Sequence, residues 1–419
     1  MIDVLIVGAG PAGLSAGIAC AHHGLKVKIV DEFTRPGGRL LGQLHEEPNG
    51  TWWNGLEEAK CLHEQARRLD VEMECGVSVY DVKKTNQGWR VDTSHFSIEV
   101  AKLLLATGAA ETAVPIPGWT LPGVMSIGAA QVMTNVQRVR VGARGVVVGV
   151  NVLSVAITRE LQLAGIQVER MVLPARNVVN KETGNPLKVM QSILRVAHLA
   201  PSAIIRLGSK CLKSEALQKL ALRFFPSSGI SMWGVPIQLK TVALEIIGDK
   251  QVEGVKLVKV TPTGEPIPGT ETVVPADFVC IAGGLYPLVE LAAVAGCPFV
   301  FLPQLGGHVP LHNERMQTSL AGLYVAGNIT GIESAKVAIA QGTVAGLSIA
   351  DDLDKLQDKS LLCAAIEQVE IVRQNASIQF QTDIKQGRQS LHRMYEQHLS
   401  RFREEAKRPS SNILETNVL

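Results

Sequence analysis

Three glycines near the start of the chain have the spacing of a phosphate-binding turn. Gly8, Gly10 and Gly13 belong to the stretch Gly-Ala-Gly-Pro-Ala-Gly, which matches the pattern G-x-G-x-x-G. In such a turn the first glycine permits the sharp bend, the second lets backbone approach a diphosphate, and the third allows close helix–strand packing. The spacing therefore predicts that this turn binds the diphosphate of a dinucleotide.

The elements on either side of this turn support the same interpretation. Residues 3–7 form an apolar run that predicts a buried parallel strand, and residues 14–23 predict a helix ended by Gly24. A second strand, over residues 26–30, ends at Asp31 and Glu32. The free N–H groups of the helix N-terminus suit a phosphate, and an acid after the second strand suits ribose hydroxyls. We expect Asp31 to bind the ribose, with Glu32 as the alternative.

A second strand–turn–helix unit lies in the middle of the chain, but its turn lacks two of the glycines. The predicted elements are a strand over 145–150, a helix over 153–164 and a strand over 167–173. Aligned on Gly149, the turn has Asn151 and Ser154 where glycines belong. Asn151 places a side chain where backbone should meet a diphosphate. Asparagine also tolerates left-handed backbone, so the shape of the turn could be preserved.

The residues after this second turn also depart from a nicotinamide site. The strand that ends at Leu173 is followed by no acid until Glu182, and Arg176 is alone where a 2′-phosphate needs clustered arginines. The sequence therefore argues against NAD(P) here. An empty nucleotide fold and a site for ATP or another nucleotide remain as alternatives. The candidate residues of this second site are Gly149, Asn151, Val152 and Leu153.

Several segments together resemble the flavoproteins that have two dinucleotide-binding domains. Pro11 is typical of their first turn, residues 103–118 resemble their A-T-G segment, and residues 318–346 resemble their late strand, turn and helix. Residues 35–43 resemble a glycine-rich stretch that passes near the cofactor. The resemblance implies an FAD site made of Gly8, Gly10, Pro11, Ala12, Gly13, Asp31, Glu32, Gly38, Arg39, Ala106, Thr107, Gly108, Gly327, Asn328 and Ala335.

Two of these residues leave questions open. Asn328 replaces the aspartate of the family, so an amide would take the place of a charge-assisted hydrogen bond to the ribityl chain. Arg39 could reach a phosphate, and the alternative is a solvated arginine in a surface loop.

A narrower resemblance comes from residues 296–346. The G-G-x-V-P run at 306–310 and the M-x-T-S run at 316–319 resemble the FAD-binding α or B subunits of heteromeric amine and amino-acid dehydrogenases. That group includes proline and hydroxyproline dehydrogenases, hydrogen cyanide synthase, opine oxidases and sarcosine oxidase. The resemblance implies a flavin-bearing β subunit that oxidises the amine, and an FMN at the subunit interface is a further possibility. Many relatives carry a [2Fe–2S] module, but only Cys363 follows Cys297 here, so a separate small subunit would have to supply any cluster.

The order of the motifs predicts an α/β fold with two Rossmann-like dinucleotide-binding domains, the second inserted in the first. We expect the FAD-binding domain over 1–112 and 286–350, the degenerate nucleotide-binding domain over 113–285, and a helical C-terminal extension over 351–419. The extension is predicted to pack on its own domain or to dock a partner.

Composition excludes some other functions. The net charge is +2 and aromatic residues make up 4%, which argues against a nucleic-acid partner. The seven cysteines form no C-x-x-C pair, and His308 and His312 are separated by Pro310, so no metal site is predicted. The sequence shows neither a signal-peptide pattern nor a transmembrane run, so we expect a cytoplasmic protein.

No nucleophile–base pair or general base can be identified, so the catalytic residues stay unknown, as expected where a flavin performs the redox chemistry. Two alternatives to a dehydrogenase subunit remain. One is a free-standing NAD(P)H-dependent flavin reductase or ferredoxin-type reductase, and the other is a nucleotide-binding structural subunit without turnover.

Overall fold

The computed structural model describes residues 2–47, 49–178, 181–194, 212, 214–376, 379–381 and 383–407. Its first part contains a parallel sheet in the order β9-β1-β2-β5 and an antiparallel sheet in the order β6-β7-β8. The elements in this part are β1 (Val4–Val7), α1 (Pro11–His22), β2 (Val27–Asp31), β3 (Leu44–Glu46), β4 (Trp52–Asn54), α2 (Gly55–Arg68), β5 (Glu72–Cys75), β6 (Val79–Thr85), β7 (Gly88–Thr93), β8 (Ser97–Val100), β9 (Lys102–Leu105) and β10 (Ala109–Glu111).

The middle part forms a second sheet of eight strands. Its order is β11-β18-β12-β13-β15-β16-β17, with β14 paired to β15. The elements are β11 (Val124–Ser126), α3 (Ile127–Gln131), β12 (Arg144–Val148), α4 (Val152–Leu163), β13 (Gln167–Pro174), α5 (Pro186–Leu194), α6 (Glu215–Arg223), β14 (Ile230–Met232), β15 (Val235–Ile247), β16 (Gly254–Lys259), β17 (Thr272–Pro275) and β18 (Phe278–Ile281).

The last part returns to the first sheet and then adds the tail. Its elements are β19 (Leu285–Pro287), α7 (Glu290–Val294), β20 (Phe299–Leu302), β21 (Gly307–Pro310), β22 (Leu323–Val325), α8 (Ala335–Asp352), α9 (Ser360–Gln374) and α10 (Ile384–Lys407). Strand β22 pairs in parallel with β9 and completes a five-stranded sheet, while β19 pairs with β10 where the chain crosses between the sheets.

The centre of the first sheet explains the apolar run at the N-terminus. All four residues of β1 are buried, because parallel strands lie on both sides, α1 and α8 cover one face, and the β6-β7-β8 sheet covers the other. Helix α1 is buried on nearly every side and packs against α8. A Cβ on Gly342 would lie 2.1 Å from the carbonyl oxygen of Ala12, and one on Gly346 would lie 2.5 Å from that of Ala16. Small residues therefore let these two helices approach closely.

The α/β fold is confirmed, with a parallel first sheet and a mixed second sheet in which β14, β16 and β17 pair antiparallel, and the tail is helical in α9 and α10. The predicted elements of both turns are present with ends shifted by up to three residues. Strands from 4–105 and 323–325 form one sheet and strands from 124–281 form the other. This division supports the domain limits 1–112, 113–285 and 286–350, which stay a prediction. The last residues of the tail, 408–419, lie outside the described part of the chain.

None of the helices in the described ranges combines the length and the apolar composition that a membrane span requires.

Candidate functional site

Two glycines of the first turn are required by close backbone contacts. Gly8 has a φ of 108°, which side chains rarely adopt, and a Cβ there would lie 2.4 Å from the carbonyl oxygen of Ala106. A Cβ on Gly13 would lie 1.8 Å from the carbonyl oxygen of Gly8. Helix α1 therefore packs directly on the turn that precedes it.

Gly10 has a different role, because the space beside it is open. A Cβ there would meet no atom within 4 Å, and its φ of −75° is accessible to any residue. Pro11 begins α1, and no side chain in the described part of the protein caps the first turn of this helix. Uncapped N–H groups beside open space form a suitable anion site. The turn therefore fits the diphosphate of FAD.

A second glycine pair lies over this turn. The N–H of Gly37 donates to the carbonyl oxygen of Ala9 at 2.8 Å, and a Cβ on Gly38 would lie 3.0 Å from the Cα of Gly10. The structure thus places Gly38 beside the open space, where the sequence predicted a stretch near the cofactor.

Asp31 lies at the end of β2, and its carboxylate holds the turn in place. Its Oδ2 accepts a hydrogen bond from the N–H of Ala9 at 2.6 Å, and its Oδ1 accepts one from Phe33 at 2.8 Å. Burial raises the pKa of Asp31, and the two backbone hydrogen bonds oppose that shift. A carboxylate can accept about four hydrogen bonds, so capacity remains for a ribose hydroxyl. Glu32, the alternative, is exposed.

Arg39 makes contacts that do not support a phosphate-binding role. Its Nε and Nη2 donate to the carbonyl oxygen of Ala109, at 3.3 and 3.0 Å. Glu111 is close by and accepts hydrogen bonds from Ser126 Oγ at 2.8 Å and from the N–H of Gly128 at 3.1 Å. Arg39 and Glu111 therefore connect the first sheet region to the start of the middle part.

The predicted A-T-G residues lie where the chain leaves the first sheet. The N–H of Ala106 donates to Val7, and the hydroxyl of Thr107 donates to the carbonyl oxygen of Leu288 at 2.6 Å. Gly108 follows with a φ of 78°. Thr107 thus joins the two segments that connect the sheets.

The predicted residues of the late loop lie against the start of α1. A Cβ on Gly327 would lie 2.9 Å from the Cβ of Ala12, and the N–H of Gly327 donates to Gln341 Oε1 at 3.0 Å. Asn328 Oδ1 accepts a hydrogen bond from the N–H of Glu333 at 3.2 Å. Ala335 begins α8, after the N-cap residue Ser334. The late loop is therefore in direct contact with the helix that carries the first turn.

The second turn has the same backbone course as the first, but its helix is capped. Gly149 has a φ of 112°, and a Cβ there would lie 2.2 Å from the carbonyl oxygen of Ala282. Asn151 Oδ1 accepts from the N–H of Ser154, and Ser154 Oγ accepts from the N–H of Asn151, both at 2.9 Å. Asn151 Nδ2 also donates to Ala282 at 3.1 Å.

This capping corrects one sequence expectation. Asn151 has a φ of −151°, which is extended, so the left-handed residue of the turn is Gly149. The side chain of Asn151 occupies the helix N-terminus that a diphosphate would need. Val152 and Leu153, the other predicted residues, begin α4.

Val152 and Leu153 line a small open pocket of about 80 Å³ between the two sheet regions. Ala335, a predicted cofactor residue, also lines it. The full lining is Gln43, His45, Glu47, Trp53, Gln131, Val152, Leu153, Ala156, Ile157, Glu160, Ser334, Ala335, Lys336, Ala376 and Phe380.

Glu160 is the buried acid of this pocket, with 4% of its surface exposed. Its Oε2 accepts hydrogen bonds from Asn135 Nδ2 at 2.7 Å and Gln131 Nε2 at 2.8 Å, and its Oε1 accepts from the N–H of Leu44 at 3.3 Å. None of these described partners is charged. Burial raises the pKa of Glu160 to about 7, and the three hydrogen bonds oppose the shift.

Sequence reasoning missed Glu160. The available signal was an acid on an apolar helix, four residues from Ala156 and eight from Val152. That spacing places the three residues on one helix face.

Other groups have no metal or disulfide role in the described residues. His312 is fully buried, its Nδ1 lies 2.8 Å from the carbonyl oxygen of Pro310, and burial lowers its pKa to about 3. No cluster of histidine, cysteine and acidic residues there could hold a metal ion, and the six described cysteines are free.

Curated proteins similar to this chain include subunits of an opine oxidase and of a hydrogen cyanide synthase. An opine oxidase subunit from Agrobacterium tumefaciens is 29% identical over 363 residues, which cover 84% of this chain and 66% of that protein. Hydrogen cyanide synthase subunit HcnB of Pseudomonas aeruginosa is 24% identical and covers 82% of this chain and 70% of that protein. The chain thus spans about two thirds of the length of that opine oxidase subunit.

Solved structures with the same fold include a dehydrogenase and a reductase. L-proline dehydrogenase from P. horikoshii has a TM-score of 0.63 at 18% identity, over 88% of this chain and 58% of that one. Thioredoxin reductase from T. acidophilum has a TM-score of 0.58 at 22% identity, over 84% of this chain and 98% of that one.

The family model described as pyridine nucleotide-disulphide oxidoreductase matches residues 2–342, which is most of the chain. This match includes both glycine-rich turns and the late loop. The protein therefore belongs to the pyridine nucleotide-disulphide oxidoreductase family and is an FAD-dependent oxidoreductase.

Proposed function

We propose that this chain is the FAD-containing electron-transfer subunit of a heteromeric amine or amino-acid dehydrogenase. Its substrates would belong to the proline, hydroxyproline, glycine, sarcosine or opine class. The names of its opine oxidase and hydrogen cyanide synthase relatives, which describe subunits, support this proposal. A flavin-bearing β subunit would hold the amine, and this chain would pass the electrons to an acceptor.

The contrast between the two turns is the observation that carries the proposal. The uncapped N-terminus of α1 beside Gly10 suits FAD, whereas Asn151 and Ser154 use the N-terminus of α4 for their own capping. A protein that receives electrons from a partner flavin needs the first site but has no need for NAD(P) in the second.

The residues proposed to hold FAD would bind and orient it. Backbone from Gly8 to Gly13 would bind the diphosphate, Asp31 the ribose, and Gly327 and Asn328 the ribityl chain. When bound, FAD would accept an electron pair from a reduced donor and release it to the acceptor. The contact between Gly327 and Ala12 would keep the two parts of the site in register.

Other cofactors and partners of the complex belong to the same proposal. The second site would be empty or hold ATP or another nucleotide, and an FMN would bind where the subunits meet. Any [2Fe–2S] cluster of the complex would be carried by a small partner subunit.

The test is anaerobic spectroscopy of the purified protein. We expect flavin absorption that NADH and NADPH do not bleach, and rapid bleaching when the partner β subunit is added together with its amine. Bleaching by NADH or NADPH alone would instead favour a free-standing reductase. A protein that binds no flavin would favour a nucleotide-binding structural subunit.

A further inference from the structure

The C-terminal tail makes its strongest polar contacts with a single residue of the late loop. Glu333 lies between Asn328 and α8 and is 8% exposed. Arg373 of α9 donates through Nε to Oε2 at 2.5 Å and through Nη2 to Oε1 at 3.1 Å. Arg388 of α10 donates through Nε to Oε1 at 3.1 Å and also through Nη2. Both tail helices therefore donate hydrogen bonds to the same carboxylate.

Two arginines and two carboxylates balance the charge of this group, in which only Glu370 is substantially exposed. Arg373 and Arg388 are 7% and 4% exposed, and Glu370 pairs with Arg373 as the second carboxylate. Burial alone would raise the pKa of Glu333, but the charges and hydrogen bonds of Arg388 and Arg373 hold it below its ordinary value. Loss of one arginine would leave the carboxylate undercompensated.

The same arginine connects the tail to the predicted cofactor residues. Arg388 Nη1 donates to the carbonyl oxygen of Thr330 at 2.8 Å. The hydroxyl of Thr330 in turn donates to the carbonyl oxygen of Gly327 at 2.8 Å. On the other side, the N–H of Glu333 donates to Asn328 Oδ1 at 3.2 Å. A continuous set of hydrogen bonds thus joins α10 to Gly327 and Asn328.

Apolar packing already docks both helices on the body of the protein. Leu362 and Val369 of α9 belong to the apolar cluster of α1 and α8, and Leu391 and Tyr395 of α10 pack with Leu305. Buried ion pairs often add little to stability compared with apolar residues of similar size. We therefore expect the ion pairs of Glu333 with Arg373 and Arg388 to orient the loop rather than to attach the tail.

We propose that the two tail helices are part of the cofactor site, and that Arg373 and Arg388 are positioning residues that hold residues 327–334 in the conformation that receives the flavin. This inference rests on the proposed FAD site.

The test uses the full-length protein with Arg388→Met. We expect amide hydrogen exchange of residues 327–334 in flavin-free protein to accelerate about tenfold, because the loop opens more often. We expect the Kd for FAD, from flavin fluorescence, to rise about tenfold for the same reason. Exchange in β12 and β18 should not change. Arg393→Met is the matched control, because Arg393 is exposed on the same helix, and it should leave both values unchanged.

A role in packing alone would loosen α10 but leave the loop and the FAD affinity as they are. That result, with the Kd within about twofold of the parent value, would overturn the inference. If the parent protein binds no FAD, the proposed function fails, while the exchange measurement still decides whether the tail holds the loop. If Arg388→Met does not fold, Arg388→Lys replaces it. This variant keeps the charge but loses the forked geometry, so loop exchange should still accelerate, by a smaller factor.

Discussion

Gly10 and Gly13 show that two glycines of one motif can be needed for different reasons. A Cβ on Gly13 would collide with the carbonyl oxygen of Gly8, whereas a Cβ on Gly10 would project into open space. Gly10→Ala should therefore change the free energy of unfolding by less than about 1 kcal/mol and weaken FAD binding at least about tenfold. Thermal melts of flavin-free protein and fluorescence titration with FAD measure the two effects.

Gly13→Ala is the comparison variant, and it should destabilise the flavin-free protein because backbone must move. A Gly10→Ala protein that keeps the parent affinity for FAD would show that the diphosphate does not lie beside this residue.

Glu160 should give the stability of the protein a distinctive pH dependence. Its pKa is raised from 4.5 to about 7 in the folded state, so folded protein keeps a proton there that unfolded chain releases between these values. The stabilising effect of that proton is present at low pH and is lost as pH rises through this window, by roughly 3 kcal/mol in total. His312 and His392 have pKa values below the ordinary 6.5 in the folded state. Their contribution to the free energy of unfolding is therefore present at higher pH and is lost as pH falls below 6.5.

Comparison with Glu160→Gln isolates the contribution of Glu160, because the two histidines contribute equally to the pH dependence of both proteins. The free energy of unfolding of the parent minus that of the variant should fall as pH rises from about 5 to about 7.5. Urea titrations of both proteins across this range measure it. Parallel curves would mean that Glu160 titrates normally.

At the level of elements, α1 and α4 are equivalent helices that begin differently. The N-terminus of α1 is uncapped and that of α4 carries a full capping box. Asn151→Ala should therefore cost about 1 kcal/mol of stability in the second sheet region. Hydrogen exchange of α4 measures this loss, and exchange in β1 and β2 is the internal control.

Asn151→Asp is the matched variant, since aspartate also caps helices but cannot donate to Ala282. It should recover most of the loss. An Asn151→Ala protein with unchanged exchange in α4 would show that the capping box does not stabilise this turn.

The elements also show what the sequence could and could not predict. The first turn was recognisable because Gly8, Gly10 and Gly13 are neighbours in the chain, and the backbone contacts of Gly8 and Gly13 demand glycine. Glu160 and Glu333 gave no comparable signal, because their partners come from distant segments: Gln131 and Asn135 for one, Arg373 and Arg388 for the other. Arg39 was predicted to lie near the cofactor from the segment around it, but its side chain hydrogen-bonds to Ala109, which is seventy residues away. Only the fold reveals such pairings.

At the level of the whole molecule, the two sheets explain how one chain can contain two Rossmann-like regions of which only the first is predicted to bind FAD. The chain crosses between the sheets through β10 and β19, so each sheet keeps its own turn. The pocket lined by Glu160 and Ala335 lies where the two regions meet. The capping of the second turn therefore does not involve the first turn, because the two turns belong to different sheets.

The most direct test of the central claim is native mass spectrometry of the intact purified assembly, with every retained nucleotide identified. We predict one FAD for each copy of this chain, no NAD(P), and a partner subunit that carries its own flavin. An assembly that retains NAD(P) on this chain, or in which this chain carries no FAD, would contradict the account.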